Sequence, residues 1–339
     1  MIKLTVAIPT YNRNIKAANQ VRQLLEQIRT AENPSVELLV VDNASDVPVE
    51  QTLRDIGLAD DPQLRIVRNP ANVGLAANLN RSVEHARGEW VWLLGDDDRL
   101  IEKALDVVLS SLEHVTDGEF AMQFSYRHVD ERKSDAWSDY PDVTVDSLQE
   151  LCKLASDGQF CSHLMFISTA VYRRSAYLDI LPDAYHWNGT VAPHLAVIFI
   201  SMRNGGKLRL HSKRIIEKQT NTGSDRCNTY RVGMGLQTLI EIEGCEQEMH
   251  EMMDSLTRHW NGAWKALIYL PIRCLRSNRP TEFWRAWYFR GAASTSGILA
   301  LVMVFSALVV APIGCSKTIR SIIFRWKGLR NDTIGLERN

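Results

Sequence analysis

The distribution of hydrophobic and polar residues divides the first half of the chain into short apolar runs and longer amphipathic segments. Residues 15–31 and 74–87 repeat their apolar positions with the period of a helix. Four apolar runs have the length and composition of buried strands, at 3–9, 36–41, 64–67 and 90–94. Because strands and helices alternate, the pattern predicts an α/β fold with a mostly parallel sheet that helices cover on both faces.

The pattern becomes less regular after Phe120. It predicts strands at 119–130 and 162–174, the second an antiparallel candidate, a helix at 192–206, and one or two strands at 207–220. We expect a boundary near residue 220, between an α/β domain of residues 1–220 and a helical region of residues 221–339.

The C-terminal region contains an apolar segment with basic residues on both sides. Residues 291–316 carry no charge, but the strongly apolar part, 298–313, is shorter than the roughly 20 residues that a spanning helix needs. A single crossing would also place one basic flank on the wrong side of the membrane. We therefore expect residues 297–314 to form a peripheral or re-entrant anchor on the cytoplasmic face of the inner (plasma) membrane. A buried core helix of a soluble domain is the alternative.

Charge and cysteine content narrow the class of protein. The formal net charge is −1 at pH 7, which does not favour a nucleic-acid-binding protein. The six cysteines form no C-x-x-C pair, as is typical of reduced thiols in a cytosolic compartment. We therefore expect a protein that binds no nucleic acid. The apolar segment with its basic flanks predicts that it contacts a membrane surface.

Three adjacent aspartates, Asp96 to Asp98, follow the apolar run at 90–94. Like charges this close oppose one another's ionisation. One explanation is a solvated turn that caps the helix predicted at 100–115, and the other is a divalent-cation site, because Mg²⁺ prefers carboxylate oxygens. Polar clusters also follow the first two strands, at 9–13 and 42–45. Carboxyl ends of parallel strands share one edge of a sheet, so the three clusters predict a common ligand site.

Four motifs occur in a fixed order along the first 100 residues: PTYNR at 9–13, VDNAS at 41–45, NPANVGLAANLN at 69–80 and GDDD at 95–98. This ordered set resembles the family 2 glycosyltransferases of GT-A fold, which are inverting enzymes that use nucleotide-activated sugars. Within that family, GDDD is similar to the Gly-Ser-Asp-Asp motif of some members. Together with the chain length, it resembles the bacterial O-antigen abequosyltransferase-like group.

The resemblance assigns the aspartates to a metal site. It implies that Asp97 and Asp98 bind Mn²⁺ or Mg²⁺, which neutralises the diphosphate of the donor and assists its departure. Asp96 would be an indirect ligand of the metal or a contact to the ribose. The usual family motif has Asp at the place of Gly95, so the identity of the two carboxylates that touch the metal stays open.

The resemblance also implies a nucleoside site. Asp42 matches the carboxylate that recognises the base or ribose, and a turn-forming Asp-Asn pair is the alternative. Thr10, Tyr11 and Arg13 match the loop around the nucleoside, with a plain surface charge as the alternative for Arg13. Asn72 lies in the turn into the helix behind the site, where a purely structural role is the alternative.

Inversion requires a base that deprotonates the acceptor hydroxyl. Many family members supply it from an acidic pair in a helix several residues before a glycine, and His194 and Leu195 hold that place here. We predict His194 as the base, because imidazole titrates near neutral pH. Asp183 and His186 are the second choices, and a helix-terminal histidine without a catalytic role is the alternative.

Other classes of nucleotide-binding enzyme would have a different motif after the first strand. A sugar nucleotidyltransferase would have a Gly-rich phosphate loop after the first strand, and a Rossmann dehydrogenase would have G-x-G-x-x-G there, where this chain has PTYNR. A degenerate transferase that serves as a scaffold in a polysaccharide assembly complex stays open. The missing acidic pair favours it, and the intact run of aspartates disfavours it.

The sequence therefore predicts an inverting, metal-dependent glycosyltransferase. Its donor would be a CDP-, dTDP-, UDP- or GDP-sugar. Its acceptor would be a polyprenyl-diphosphate-linked glycan in bacterial surface polysaccharide (O-antigen-like) synthesis, because such an acceptor lies in the membrane that the anchor contacts.

Overall fold

The computed structural model describes residues 2–31, 35–128, 142–155, 164–190 and 192–218, together with Leu239 and Ile242. Nearly all of these residues belong to one compact unit. None of the helices in these ranges is long and apolar enough to cross a membrane. The predicted helical region 221–339, with its anchor at 297–314, lies outside the described residues apart from Leu239 and Ile242 and stays a prediction, as does the boundary near residue 220.

A nine-stranded sheet forms the centre of the described part, in the order β3-β2-β1-β4-β8-β6-β9-β5, with β7 paired to β9. The strands are β1 (Leu4–Thr10), β2 (Val36–Asp42), β3 (Leu64–Arg68), β4 (Trp90–Leu93), β5 (Arg99–Leu100), β6 (Glu119–His128), β7 (Val143–Val145), β8 (Ala170–Arg173) and β9 (Lys207–Lys218). The α-helices are α1 (Asn14–Thr30), α2 (Val49–Asp55), α3 (Leu75–His85), α4 (Ala104–Leu112), α5 (Leu148–Ala155), α6 (Arg174–Asp179), α7 (Leu181–His186) and α8 (Pro193–Arg203).

The α/β prediction is confirmed, but the sheet is mixed rather than mostly parallel. Strands β3, β2, β1 and β4 are parallel to one another, as their alternation with helices predicts. Beyond β4 the sheet is mixed, because β8 pairs antiparallel with both β4 and β6, while β6 and β9 are parallel. The antiparallel character predicted for 162–174 is confirmed in β8. The short elements α2, α5, α6, α7, β5 and β7 were not predicted.

Burial explains why the parallel half forms. Every residue of β1 and β2 is buried, so both faces of these strands must be covered. On one face, Leu4, Val6 and Ile8 share a core with Leu24 and Leu25 of α1. On the other face, α3 packs against the same two strands. Burying an aliphatic side chain of this size contributes about 1.5–3 kcal/mol, so these layers fix the strand ends that carry the polar motifs.

Gly88 precedes β4 where the chain passes close to β1, and its N–H donates to Thr5 Oγ1 at 2.8 Å. A Cβ at Gly88 would lie 2.5 Å from the backbone nitrogen of Thr5 and 2.8 Å from the carbonyl carbon of Leu4. We predict that Gly88→Ala lowers the free energy of unfolding by about 1–3 kcal/mol, because backbone atoms cannot move aside cheaply. Urea denaturation followed by tryptophan fluorescence measures the change. Gly189→Ala is the control, since a Cβ there meets no atom within 4 Å, and an equal loss in both variants would contradict the explanation.

Candidate active site

The polar motifs meet at one edge of the parallel half-sheet. Thr10 at the end of β1 is the register partner of Asp42 at the end of β2, and Ala7 of β1 is the partner of Leu93 of β4. The segments after these strands therefore emerge side by side. The predicted convergence of the clusters at 9–13, 42–45 and 95–98 is confirmed by direct contacts between their residues: Thr10 and Arg13 contact Asp96 and Asp97, and the Asn12 N–H donates to Ser45 Oγ.

Asp96 points into the protein and ties the end of β4 to the end of β1. Its side chain is 5 % exposed. Thr10 Oγ1 donates to Asp96 Oδ2 at 2.7 Å, and Arg13 Nη1 lies 3.1 Å from Asp96 Oδ1. Asp96, the first of the three adjacent aspartates, thus makes its contacts inside the protein. Its inward direction reduces the repulsion expected among three neighbouring carboxylates.

Burial raises the pKa of Asp96 to about 6. The negative charge of Asp97 adds to this rise, while Arg13, the hydrogen bond from Thr10, and Lys16 oppose it. Loss of hydration is therefore the largest influence on this carboxyl group.

Asp97 faces outward beside two cations. Its side chain is 38 % exposed, and Arg13 Nη2 donates to its Oδ2 in a close ion pair. Lys16 Nζ lies 3.6 Å from the same oxygen. Lys16 is not among the predicted site residues, although its position three residues after Arg13, in the first turn of α1, brings both side chains to one side of the helix start.

Asp42 is 1 % exposed and holds the turn after β2. Its Oδ1 accepts from the Ser45 N–H at 2.8 Å, and its Oδ2 accepts from the Val49 N–H at 3.3 Å. Arg68 Nη1, at the end of β3, donates to the same Oδ2. These contacts agree with the alternative given for Asp42, a role in forming the turn after β2.

Asn72 belongs to an amide network that fixes the loop between β3 and α3. Its Oδ1 accepts from Asn43 Nδ2 at 2.8 Å and from the Gly74 N–H at 2.8 Å. Asn43 Oδ1 accepts in turn from the Val73 N–H and from Asn69 Nδ2, both at 3.0 Å. These bonds agree with the alternative given for Asn72, a purely structural role in the loop. Tyr11 is half-buried in the loop after β1.

The predicted base residues lie in different surroundings. His194, in the first turn of α8, is 3 % exposed, and its Nε2 lies 3.2 Å from the carbonyl oxygen of Leu164. Burial lowers its pKa to about 4. An enclosed imidazole of this kind disfavours the predicted role of His194 as the base. Asp183 and His186 of α7 are exposed, and their role stays a prediction.

The family model of glycosyl transferase family 2 matches residues 5–177, which is 173 of the 339 residues. The chain belongs to glycosyl transferase family 2.

Two relatives match shorter stretches of this family 2 chain. The abequosyltransferase RfbV of Salmonella typhimurium is 30% identical over 118 residues, which is 34% of this chain and 34% of RfbV. The GalNAc(5)-diNAcBac-PP-undecaprenol beta-1,3-glucosyltransferase of Campylobacter jejuni is 27% identical over 109 residues, which is 32% of this chain and 34% of that enzyme. The chain thus matches about a third of the length of these relatives.

Solved structures match the family 2 chain over most of its length. S. aureus TarS 1-349 in complex with UDP-GlcNAc has a TM-score of 0.61 at 14% identity and covers 96% of this chain and 92% of its own. The mannosyltransferase PcManGT of Pyrobaculum calidifontis, in complex with GDP-Man and Mn²⁺, has a TM-score of 0.52 at 15% identity and covers 96% and 88%. At these identities the likeness shows the fold, a central sheet with flanking helices as in GT-A glycosyltransferases.

This family 2 member has glycine at position 95, where its backbone contacts Ser168 beside the Asp98 carboxylate. Ser168 lies just before β8, accepts from the Gly95 N–H at 2.9 Å and donates to Asp98 Oδ2. A Cβ at Gly95 would lie 2.6 Å from Asp98 Oδ2 and 3.2 Å from Ser168 Oγ. A side chain at position 95 would therefore require the Asp98 carboxylate to shift from the position in which Ser168 holds it.

The carboxylates present here suit a divalent cation whose other ligands come from a bound anion. Among the described residues there is no group of three or more His, Cys, Asp or Glu side chains that could enclose a metal. Asp97 and Asp98, which are neighbours in the sequence, nevertheless offer carboxylate oxygens, the ligand type of Mg²⁺ and Mn²⁺. Mg²⁺ is commonly held by one or two carboxylates together with phosphate oxygens, so two ligands are sufficient for a site of this kind.

Ser168→Ala removes the hydroxyl that orients Asp98. We predict that Mn²⁺ affinity, titrated calorimetrically in the presence of a nucleoside diphosphate, falls by about 10- to 100-fold, as is typical when a group that orients a metal ligand is lost. Gly95→Ala should act in the same direction, because the new methyl group displaces Asp98. Ser110→Ala, on an exposed part of α4, is the matched control. Unchanged Mn²⁺ affinity in a folded Ser168→Ala protein would show that Asp98 does not depend on this contact.

Asp96 makes stability depend on pH in a defined window. Its pKa in the folded protein, about 6, is above its ordinary value of 3.8, so folding favours the protonated form. The resulting stabilisation is complete below pH 3.8 and is lost as the pH rises through 6, with a total on the order of 3 kcal/mol. Asp96→Asn cannot ionise. In metal-free buffer, the unfolding free energy of the wild type relative to Asp96→Asn should therefore decline across this window, and a constant difference would contradict the raised pKa.

Proposed function

We propose that this chain is a glycosyltransferase that binds a nucleotide-diphosphate sugar at the edge formed by β1 and β4. The observation that carries the proposal is the exposed carboxylate of Asp97 with Arg13 and Lys16 beside it, at the point where the family motifs meet. The diphosphate of such a donor is an anion, which two cations and a carboxylate-bound metal would complement. The presence of UDP-GlcNAc in TarS and of GDP-Man with Mn²⁺ in PcManGT supports this donor class.

Each residue of the cluster has a part in donor binding. Asp97 and Asp98 would hold Mn²⁺ or Mg²⁺, which when bound neutralises charge on the departing diphosphate. Arg13 and Lys16, which pair with Asp97 in the described structure, would donate charge-assisted hydrogen bonds to phosphate oxygens. Asp96, held by Thr10, keeps one nitrogen of the Arg13 guanidinium occupied and so fixes the direction of the other.

Transfer with inversion requires a base near the acceptor hydroxyl. The burial of His194 leaves Asp183 and His186 as the exposed candidates of the three. Both lie on α7, and the His186 ring stands edge-on to Trp187 with the ring centres 5.2 Å apart. Of the two, Asp183 offers a carboxylate, the type of group that supplies the base in many family members. Trp187 offers an aromatic face for a sugar ring beside it.

The acceptor in this proposal is a polyprenyl-diphosphate-linked glycan at the cytoplasmic face of the inner membrane. The name of the Campylobacter jejuni relative specifies an undecaprenol-linked acceptor. The apolar residues 297–314 with their basic flanks, expected from the sequence to contact a membrane, support the same location. The likeness to the abequosyltransferase RfbV supports a role in O-antigen-like polysaccharide synthesis.

One observation favours the second candidate function, a non-catalytic scaffold of a polysaccharide assembly complex. With His194 enclosed, the helix that carries the acidic pair in many relatives supplies no solvent-accessible base here. A scaffold would bind a nucleotide at most and would turn over no donor.

Asp97→Asn tests the transferase. We predict that wild type binds one of UDP, dTDP, GDP or CDP more tightly with Mn²⁺ than without it, and that Asp97→Asn loses this metal-dependent gain, a change of about tenfold or more. Calorimetry measures binding, and transfer from the matching sugar nucleotide to an undecaprenyl-diphosphate-linked glycan measures turnover. Asp60→Asn, an exposed carboxylate in the loop before β3, is the matched control.

The same experiment distinguishes the two candidate functions. Metal-dependent binding with turnover supports the transferase. Binding without turnover of any tested sugar nucleotide supports the scaffold, and a folded protein that binds none of the four nucleotides contradicts the donor site itself.

A further inference from the structure

The carboxylate at the end of β2 is closed to a ligand. Asp42 accepts two backbone N–H groups, from Ser45 and Val49, and the Arg68 guanidinium donates to it as well. With its side chain 1 % exposed, its remaining acceptor capacity does not face solvent. A donor base that needs a carboxylate as acceptor therefore finds none at Asp42.

Arg68 presents the opposite chemistry at the same place. Its Nη1 donates to Asp42 and its Nη2 donates to the Ser45 carbonyl at 2.7 Å, so two bonds fix the plane of the guanidinium. Its side chain is 39 % exposed. A guanidinium has five N–H donors, and these two bonds use two of them.

The strand register places Arg68 at one end of the candidate site. Arg68 is the register partner of Asp42, and Asp42 is the partner of Thr10, which binds Asp96. Two strand spacings, about 10 Å, therefore separate the end of β3 from the strand end nearest the aspartates. This separation is of the size of a nucleoside, with the diphosphate at the aspartates and the base near Arg68.

The bases differ in what they offer to a fixed guanidinium. Cytosine has two adjacent acceptors, N3 and O2, and guanine has O6 and N7, the pair that arginine commonly binds with two hydrogen bonds. Uracil and thymine instead place an N3–H donor between their two carbonyl oxygens. That donor would face the donors of Arg68 and would have no access to the Asp42 carboxylate.

We infer that Arg68, oriented by Asp42 and the Ser45 carbonyl, reads the base of the sugar nucleotide and selects a base edge with two adjacent acceptors over uracil or thymine. This inference rests on the proposed function. It gives Asp42 the part of a positioning residue, which holds the arginine instead of touching the base.

The test is calorimetric titration of the full chain with CDP, GDP, UDP and dTDP in the presence of Mn²⁺. We expect CDP or GDP to bind at least about tenfold more tightly than UDP and dTDP, as a two-bond arginine contact provides. The comparison of CDP with GDP identifies which base supplies the acceptors.

Two substitutions assign the preference to Arg68. Arg68→Gln removes the charge and the paired donors, and Arg68→Lys keeps the charge but loses the planar fork. Both should reduce the preference to about threefold or less. Arg54→Gln, which removes an exposed arginine of α2 paired with Glu50, is the matched control and should keep the wild-type preference. If Arg68→Gln fails to fold because Asp42 is left unpaired, Arg68→Lys and the double variant Asp42→Asn/Arg68→Gln take its place.

The failures are distinguishable. Tightest binding of UDP or dTDP by wild type would overturn base reading by Arg68 and leave the proposed function intact. A CDP or GDP preference that survives in folded Arg68→Lys and Arg68→Gln proteins would show that another group reads the base. Absence of binding for all four nucleotides would overturn both proposals.

Discussion

The buried carboxylate of Asp96 is the contact on which the candidate site depends. It joins two strand ends, because it accepts from Thr10 at the end of β1 and pairs with Arg13 in the loop that follows. A buried polar contact of this kind is costly to break from one side, since the remaining partner is left without its hydrogen bond. It therefore fixes the direction of the chain after β4, and with it the outward direction of Asp97 and the approach of Asp98 to Ser168.

Three adjacent acids thus occupy three different electrostatic surroundings. Asp96 is withdrawn from water, Asp97 is balanced by Arg13 and Lys16, and Asp98 is held by a neutral hydroxyl. The cations beside Asp97 compensate its charge in the described structure. Binding of a metal there would compete with the two cations for that carboxylate, and the same competition would free Arg13 and Lys16 for the phosphates. Metal and diphosphate would in this way stabilise one another's binding.

The sequence predicts the parts of this arrangement that depend on local pattern. Alternating apolar runs give β1 to β4, and the parallel order of these strands brings their polar ends to one edge. Ser168 could not be predicted, because it reaches Asp98 from 70 residues further along the chain through the pairing of β8 with β4. The burial of His194 did have a signal: α8 is apolar on every face, a pattern typical of an enclosed helix, and its histidine is enclosed with it.

The two ends proposed for the candidate site lie on different strands, which would separate the transfer chemistry from the choice of base. The diphosphate would lie where the ends of β1 and β4 contact each other, and the base would lie where β2 and β3 meet and Asp42 holds Arg68. Among the described residues, the hydrogen bonds of Arg68 go to Asp42 and to the Ser45 carbonyl, outside the cluster of Asp96 to Asp98. A different side chain at the end of β3 would therefore alter the proposed base site and leave the contacts of that cluster in place.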